Sequence, residues 1–143
     1  MPETPGDVLR SHASQTPRIL VVDDDKAIRS LITAVLSRKG YSVETARNGE
    51  EALEVIAGKT FEAIILDLMM PKVDGFEVIE HLARTAPEQL KRCVIVLTAV
   101  ASKDLRKLDG SRVFRVLRKP FDLDELLSVV TDCIEGNAGQ EAR

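Results

Sequence analysis

The sequence predicts a doubly wound α/β domain: a parallel sheet of five strands with helices on both faces. Two observations predict it. Strand-like and helix-like patterns alternate five times between residues 18 and 136, as in βα units joined by crossover connections. Three of the strand-like runs, "ILVV", "AIIL" and "VIVL", are continuous and apolar, as strands buried on both faces must be.

Each element has its own signal. "RILVVD" (18–23) is a short β-branched strand. The helical pattern of "KAIRSLITAVLSRKG" puts Ile28, Leu31, Ile32, Val35 and Leu36 on one face, with Asp25 placed to cap its start and Gly40 to end it. "YSVETA" (41–46) alternates like a half-buried strand. In "NGEEALEVIAG", Asn48 and Glu51 occupy the N-cap and N3 positions of a helix that Gly58 closes. "FEAIILD" (61–67) is the third strand, and Phe76, Ile79, Leu82 and Ala83 mark the third helix. "CVIVLT" (93–98) is the fourth strand, "SKDLRKLDG" (102–110) a short, weak fourth helix and "VFRVLRK" (113–119) the fifth strand. The last helix, "DLDELLSVVTDCIEG" (122–136), has a capping box at Asp122 and Glu125 and an apolar stripe at Leu123, Leu126, Leu127, Val130 and Ile134. The second and fifth strands carry interspersed polar residues and suit sheet edges. Placing them there gives the flavodoxin-like order 2-1-3-4-5, whose reversal point lies between strands one and three.

A chain of 143 residues, 44% hydrophobic and 30% charged with a formal net charge of −3, is long enough for one domain with a real core. Its charge gives no reason to expect nucleic-acid binding. Residues 1–17, rich in Pro, Ser and Thr, are expected to form a flexible tail, residues 18–136 the domain, and residues 137–143 a C-terminal tail. Cys93 and Cys133 lie in apolar stretches without metal-ligand spacing and read as reduced core residues. No apolar run approaches membrane-spanning length, and the N-terminal segment lacks an apolar signal core. The expectation is a cytoplasmic protein without a membrane partner.

The strand ends carry the chemistry. In this topology ligands bind beyond the carboxyl ends of the strands at the reversal point. Strand one ends in Asp23, Asp24 and Asp25, and its neighbour, roughly 5 Å away, ends in Asp67. Carboxylates so crowded share a proton or hold a cation. A few hard oxygen ligands with room for water favour Mg²⁺. Strand four ends in Thr98 and strand five in Lys119, on the same edge of the sheet. A nucleophile, a cation site, a hydroxyl and a fixed ammonium together suit a transferring phosphoryl group. Taken singly, each residue has a plainer reading as cap, strand end or surface charge, and Asp25 is read as the cap of helix one. Taken together, those plainer readings require a separate coincidence at each of four strand ends.

The pieces "ILVVDDD", "IILDLMMPKVDG", "VIVLTA" and "LRKPF" occur in this order across about residues 18–135. In them the chain resembles the receiver domain of two-component response regulators, the group that includes the stand-alone chemotaxis regulator. The resemblance implies that Asp67 accepts the phosphoryl group from a histidine kinase or phosphotransfer protein. It implies Mg²⁺ held by Asp24 directly, by Asp23 mainly through water, by Asp67 and by the backbone carbonyl of Met69. Thr98 would hydrogen-bond the phosphoryl oxygen, Lys119 would pair with it, and the Lys119–Pro120 peptide would be cis. Pro71, Asp74 and Gly75 match the family's turn before the third helix. Phosphorylation would change the face made of the expected fourth helix, fifth strand and last helix to control an output partner; a homodimer stays open. Such a protein is a regulatory phospho-acceptor that catalyses only its own phosphorylation and slow dephosphorylation.

The chain departs from the family pattern in places. Val116 stands where the family usually has Tyr or Phe, with Phe114 expected on the same side of the sheet one pleat away. Residues 100–117 are shorter than usual, and no output domain is expected after the last helix. Lys103, Arg106, Lys107, Arg112, Arg115 and Arg118 gather around the fourth helix and fifth strand. They read as a solvated basic face or a docking surface for an acidic partner; nucleic acid fits less well without interleaved aromatics. Met69 and Val100, two positions beyond Asp67 and Thr98, are apolar and cannot orient a hydrolytic water, so a slowly decaying phospho-form is expected. A phosphatase using an aspartyl-phosphate would need an acid at position 69, where Met69 stands.

Overall fold

The structure, a computed structural model, describes residues 16–70, 72–99 and 109–141. Its strands are β1 (Arg18–Val22), β2 (Ser42–Ala46), β3 (Ala63–Asp67), β4 (Val94–Thr98) and β5 (Arg115–Arg118), in one sheet of order β2-β1-β3-β4-β5. Every pairing is parallel. β3 and β4 are buried at every residue, whereas β2 and β5 carry exposed positions. The continuous apolar runs are therefore the central strands, and the polar-interspersed ones are the edges. The helices are α1 (Lys26–Arg38), α2 (Gly49–Gly58), α3 (Gly75–Thr85), α4 (Pro87–Cys93) and α5 (Leu123–Glu141), with a 3₁₀ turn at Gly110–Arg112.

Alternation along the strands splits the core into two layers. Leu20, Val22, Ile64, Leu66, Val94 and Val96 pack with Ala52 of α2 and Val78, Ile79 and Leu82 of α3. Ile19, Val21, Ile65, Ile95 and Leu97 pack on the other side with Ile32 and Leu36 of α1 and Leu126, Val130 and Cys133 of α5. Fully burying each such side chain contributes about 1.5–3 kcal/mol before entropy is counted. Both cysteines are free thiols in this interior. Among the described residues no helix is long and apolar enough to cross a membrane.

The caps fix where helices begin. Asp25 accepts the backbone N–H groups of Ala27 at 2.8 Å and Ile28 at 3.3 Å. Asn48 accepts the N–H of Glu51 at 2.8 Å, while Glu51 reaches back past the cap to the N–H of Arg47 at 3.0 Å. Asp74 accepts the N–H of Glu77 at 3.0 Å.

Four features differ from expectation or fall outside the description. α4 is a short helix that periodicity did not reveal; its sequence signals are Pro87 at the first turn and the buried Leu90. The fourth helix expected at residues 102–110 lies outside the described residues except for Asp109, which caps the 3₁₀ turn, and Gly110, which begins it. Lys103, Arg106, Lys107, Pro71, Val100 and residues 1–15 also lie outside them. α5 runs past Gly136 to Glu141, so residues 137–141, expected in a tail, are helical. One glycine costs a helix only about 1 kcal/mol, and no proline follows to stop it. Finally, Phe114 packs on the α1–α5 side of the sheet, whereas Val116 packs on the α2–α3 side. Regular pleating begins only at Arg115, so the alternation that would have placed Phe114 beside Val116 does not extend back to it.

Candidate functional site

Among the described residues, three polar or charged side chains are buried: Asp23, Asp67 and Thr98. They lie at the carboxyl ends of β1, β3 and β4, the three central strands. Val22 pairs with Leu66 and Leu97 with Asp67, so the register brings these ends together. Thr98 pairs with Arg118, and the N–H of Lys119 donates to the Thr98 carbonyl at 2.8 Å, which adds the end of β5.

Lys119 links the acids. Its Nζ lies 3.2 Å from Asp23 Oδ2 and 3.4 Å from Asp67 Oδ2. The other oxygens are also held: Asp23 Oδ1 accepts the N–H of Asp25 at 2.9 Å, and Asp67 Oδ1 accepts that of Met69 at 3.2 Å. Asp24 is exposed, yet its carboxylate joins those of Asp23 and Asp67 in a group whose ligand oxygens lie within 4.8 Å of one another.

The electrostatics follow from this crowding. Burial, then the neighbouring Asp23 charge, raise the Asp67 carboxyl to about 6, against the pull of Lys119 and the Met69 N–H. For Lys119, burial works against its charge, but Asp67 and Asp23 outweigh it and hold the ammonium above the ordinary lysine value. Three carboxylates facing one ammonium leave surplus negative charge in a partly dry crevice. That all-oxygen donor set fits a hard divalent cation that keeps some of its water.

The loop after β3 is closed by backbone. The N–H of Gly75 donates to the Leu68 carbonyl at 3.0 Å. A Cβ on Gly75 would stand 2.5 Å from the Asp67 carbonyl oxygen, so only glycine lets α3 start this close to the acceptor strand. Lys72 adopts a left-handed backbone, φ 62°, within the same loop. Of the two methionines in this loop, Met70 is buried in the core and Met69 is 58% exposed beside the site.

The structure thus brings together Asp23, Asp24, Asp67, Thr98 and Lys119, and the Lys119–Pro120 peptide is cis, as expected. Asp25 is a cap, and Asp74 and Gly75 build the turn into α3. Sequence reasoning missed one contributor. The Arg29 guanidinium donates to the main-chain carbonyl of Asp23 at 2.8 Å. A basic residue in the first turn of α1, where the helix dipole favours anions, was the signal that could have found it.

Comparison with known proteins agrees with this geometry. The family model for the response regulator receiver domain matches residues 19–131. The response regulator MprA of Mycolicibacterium vanbaalenii is 44% identical over 111 residues, covering 78% of this chain and 47% of that protein. MprA of Mycobacterium bovis is equally similar, so the chain spans about half the length of the curated relatives it matches. Among solved structures, the response regulator TrrA of Thermotoga maritima, in complex with Mg²⁺-BeF, is 36% identical with a TM-score of 0.72 and covers 82% of this chain and 99% of that one. A CheY-like receiver domain protein of Methanospirillum hungatei is 27% identical with a TM-score of 0.79, covering 88% and 99%. The sheet order, the buried acids at its reversal point and the family match over most of the chain lead to one conclusion: this protein belongs to the receiver domains of response regulators, regulatory switches of phosphorylation-based signalling.

Proposed function

We propose that Asp67 accepts a phosphoryl group from the phosphohistidine of a histidine kinase or phosphotransfer protein, in a site where Asp23, Asp24, Asp67 and the Met69 carbonyl hold Mg²⁺. The observation that carries this reading is the convergence of three carboxylates within 4.8 Å, two of them also bound by Lys119. The Mg²⁺-BeF complex of the similar TrrA supports the choice of cation. When bound, the ion neutralises charge on the phosphoryl oxygens.

The chain's own residues do the rest. Asp67 is an effective nucleophile only when ionised, and a value of about 6 leaves it mostly ionised at neutral pH even without metal. The Met69 N–H and Lys119 hold its two oxygens in place, so little ordering remains to be done at the moment of attack. A carboxylate oxygen bonds to phosphorus, the P–N bond breaks, and its electron pair returns to the imidazole. Lys119 then pairs with the transferred group, and the Thr98 hydroxyl donates to it. Because the Lys119 N–H is bonded to the Thr98 carbonyl, movement at the end of β4 passes directly to β5. The face that includes β5 and α5 would present that change to an output protein or a second copy of the chain.

The test is incubation with a small phosphodonor followed by intact mass. The wild type should gain one phosphoryl group only when a divalent cation is present, and Asp67→Asn should gain none. Robust labelling of Asp67→Asn, or labelling indifferent to a chelator, would sink the assignment.

A further inference from the structure

We infer that Arg29 is a positioning residue for the cation site, its guanidinium holding the Asp23–Asp24 peptide in the orientation that brings both carboxylates beside Asp67. The inference rests on the proposed role of these three acids as cation ligands.

Asp23 is anchored at four points. Its N–H donates to the Ala46 carbonyl at 3.2 Å. Its Oδ1 accepts the Asp25 N–H at 2.9 Å, its Oδ2 faces Lys119 at 3.2 Å, and its carbonyl accepts from Arg29 Nη1 at 2.8 Å. The Arg29 bond is the one that acts on the peptide leading to Asp24. A peptide unit is planar, so pinning its oxygen also sets the direction in which the Asp24 Cα leaves. This matters because the Asp24 carboxylate is exposed and makes no hydrogen bond or ion pair among the described residues. Its place in the acid cluster depends on backbone alone.

Arg29 is itself framed. It rises from the first turn of α1, where its charge works against the helix dipole. Its charge is also felt, weakly, by Glu51 at the start of α2. That carboxyl lies below the ordinary range, first through the Arg47 N–H it accepts and, as a lesser cause, through Arg29.

Charge and positioning make opposite predictions, which is what makes the inference testable. A cation beside an acid cluster repels Mg²⁺, so if Arg29 acted only through its charge, removing it would tighten Mg²⁺ binding. If it positions Asp24, removing it loosens binding, and outer partners of metal ligands typically matter by about 10-fold or more. The experiment is calorimetric titration of Mg²⁺ into the wild type, Arg29→Gln and Arg29→Lys, with unfolding in chelator measured alongside. Arg29→Gln should bind Mg²⁺ about 10-fold more weakly at a temperature where it is fully folded. Arg29→Lys keeps the charge but not the rigid fork, and should recover only part of the loss. Equal or tighter binding by Arg29→Gln overturns the inference. Should that variant fail to fold, Arg29→Lys decides: binding at least about 3-fold weaker supports positioning, and wild-type affinity overturns it. A wild type that binds no Mg²⁺ overturns the site reading itself, a result distinct from failure of Arg29 alone.

Discussion

At the amino ends of the strands the buried side chains include Phe61, Cys93 and Cys133; at the carboxyl ends they include Asp23, Asp67 and Thr98. Each end holds a titratable group whose pKa burial pushes up. Cys133 goes up to about 12, driven by burial and then by Cys93, and so stays a neutral thiol, 3.1 Å from the Arg92 carbonyl. Asp67 stops at about 6, because Lys119 and the Met69 N–H oppose burial and the Asp23 charge. Most of the gap is the ordinary difference between a thiol, 9.0, and a carboxyl, 3.8; what the surroundings add is that a fixed ammonium and an N–H hold the buried Asp67 back toward its charged form. A buried group with neutral neighbours becomes part of the core, whereas one with a fixed cation keeps a charge that can react.

If the two ends are separable, changing one should spare the other. Phe61→Ala should cost about 3–5 kcal/mol of stability, since it opens a cavity beneath β3. Its Mg²⁺ affinity should match the wild type at temperatures where it is folded. A parallel loss of metal binding, measured by the same titration, would show that the ends are coupled.

At the carboxyl end the next largest effect concerns lifetime. Met69 is exposed beside Asp67 and offers an attacking water no hydrogen bond. Met69→Asn should speed decay of the phospho-form by about 10- to 100-fold, or roughly 1.4–2.7 kcal/mol, and Val100→Glu should act in the same direction. The check is the loss of label from purified phosphorylated protein. Slower decay in either variant would contradict the occlusion argument.

The smallest effect belongs to neither end. On the β5 edge, Arg112 pairs with Glu80 at 2.9 Å and the Arg115 guanidinium sits 5.3 Å from the Phe114 ring centre. Exposed pairs of this kind contribute about 0.2–1 kcal/mol, so charge reversal there should hardly change stability. Arg112→Glu with Arg115→Glu should weaken an acidic partner several-fold at low salt, on the order of 1 kcal/mol, and leave phosphorylation of Asp67 intact. Partner affinity indifferent to both salt and substitution would remove these residues from the output face.

Much of this was legible in the sequence because it depends on local pattern. The apolar runs identified the central strands, Asp25 and Asn48 suited helix starts, and parallel topology forced the strand ends bearing Asp23, Asp67, Thr98 and Lys119 to one edge. What was not legible depends on side-chain reach or on breaks in the pattern. Lys119 was expected to meet a phosphoryl group; that it also bridges Asp23 and Asp67 is set by distances no spacing encodes. A basic residue placed against the helix dipole marks Arg29 as unusual, but its partner, a main-chain carbonyl, has no sequence signature. α4 is too short to show a period, and Phe114 lies just outside the regular pleat, where alternation fails.

The most direct measurement is unfolding stability against pH, for the wild type and Asp67→Asn, each in chelator and in Mg²⁺. A carboxyl raised from 3.8 to about 6 in the folded state binds its proton more tightly there than in the unfolded chain. Its stabilising contribution is complete below the unfolded value and is lost as pH rises through the folded one. A rise from 3.8 to about 6, with the opposing pull of Lys119 already included, corresponds to roughly 3 kcal/mol. In chelator, Asp67→Asn should therefore be more stable than the wild type at pH 7 by about 2–3 kcal/mol. That gap should close toward pH 4, and Mg²⁺ should raise the wild type far more than the variant. A wild type that gains stability relative to Asp67→Asn as pH rises in chelator, or equal stabilisation of both by Mg²⁺, would contradict the claim that Asp67 is a charge held ready for a cation and a phosphoryl group.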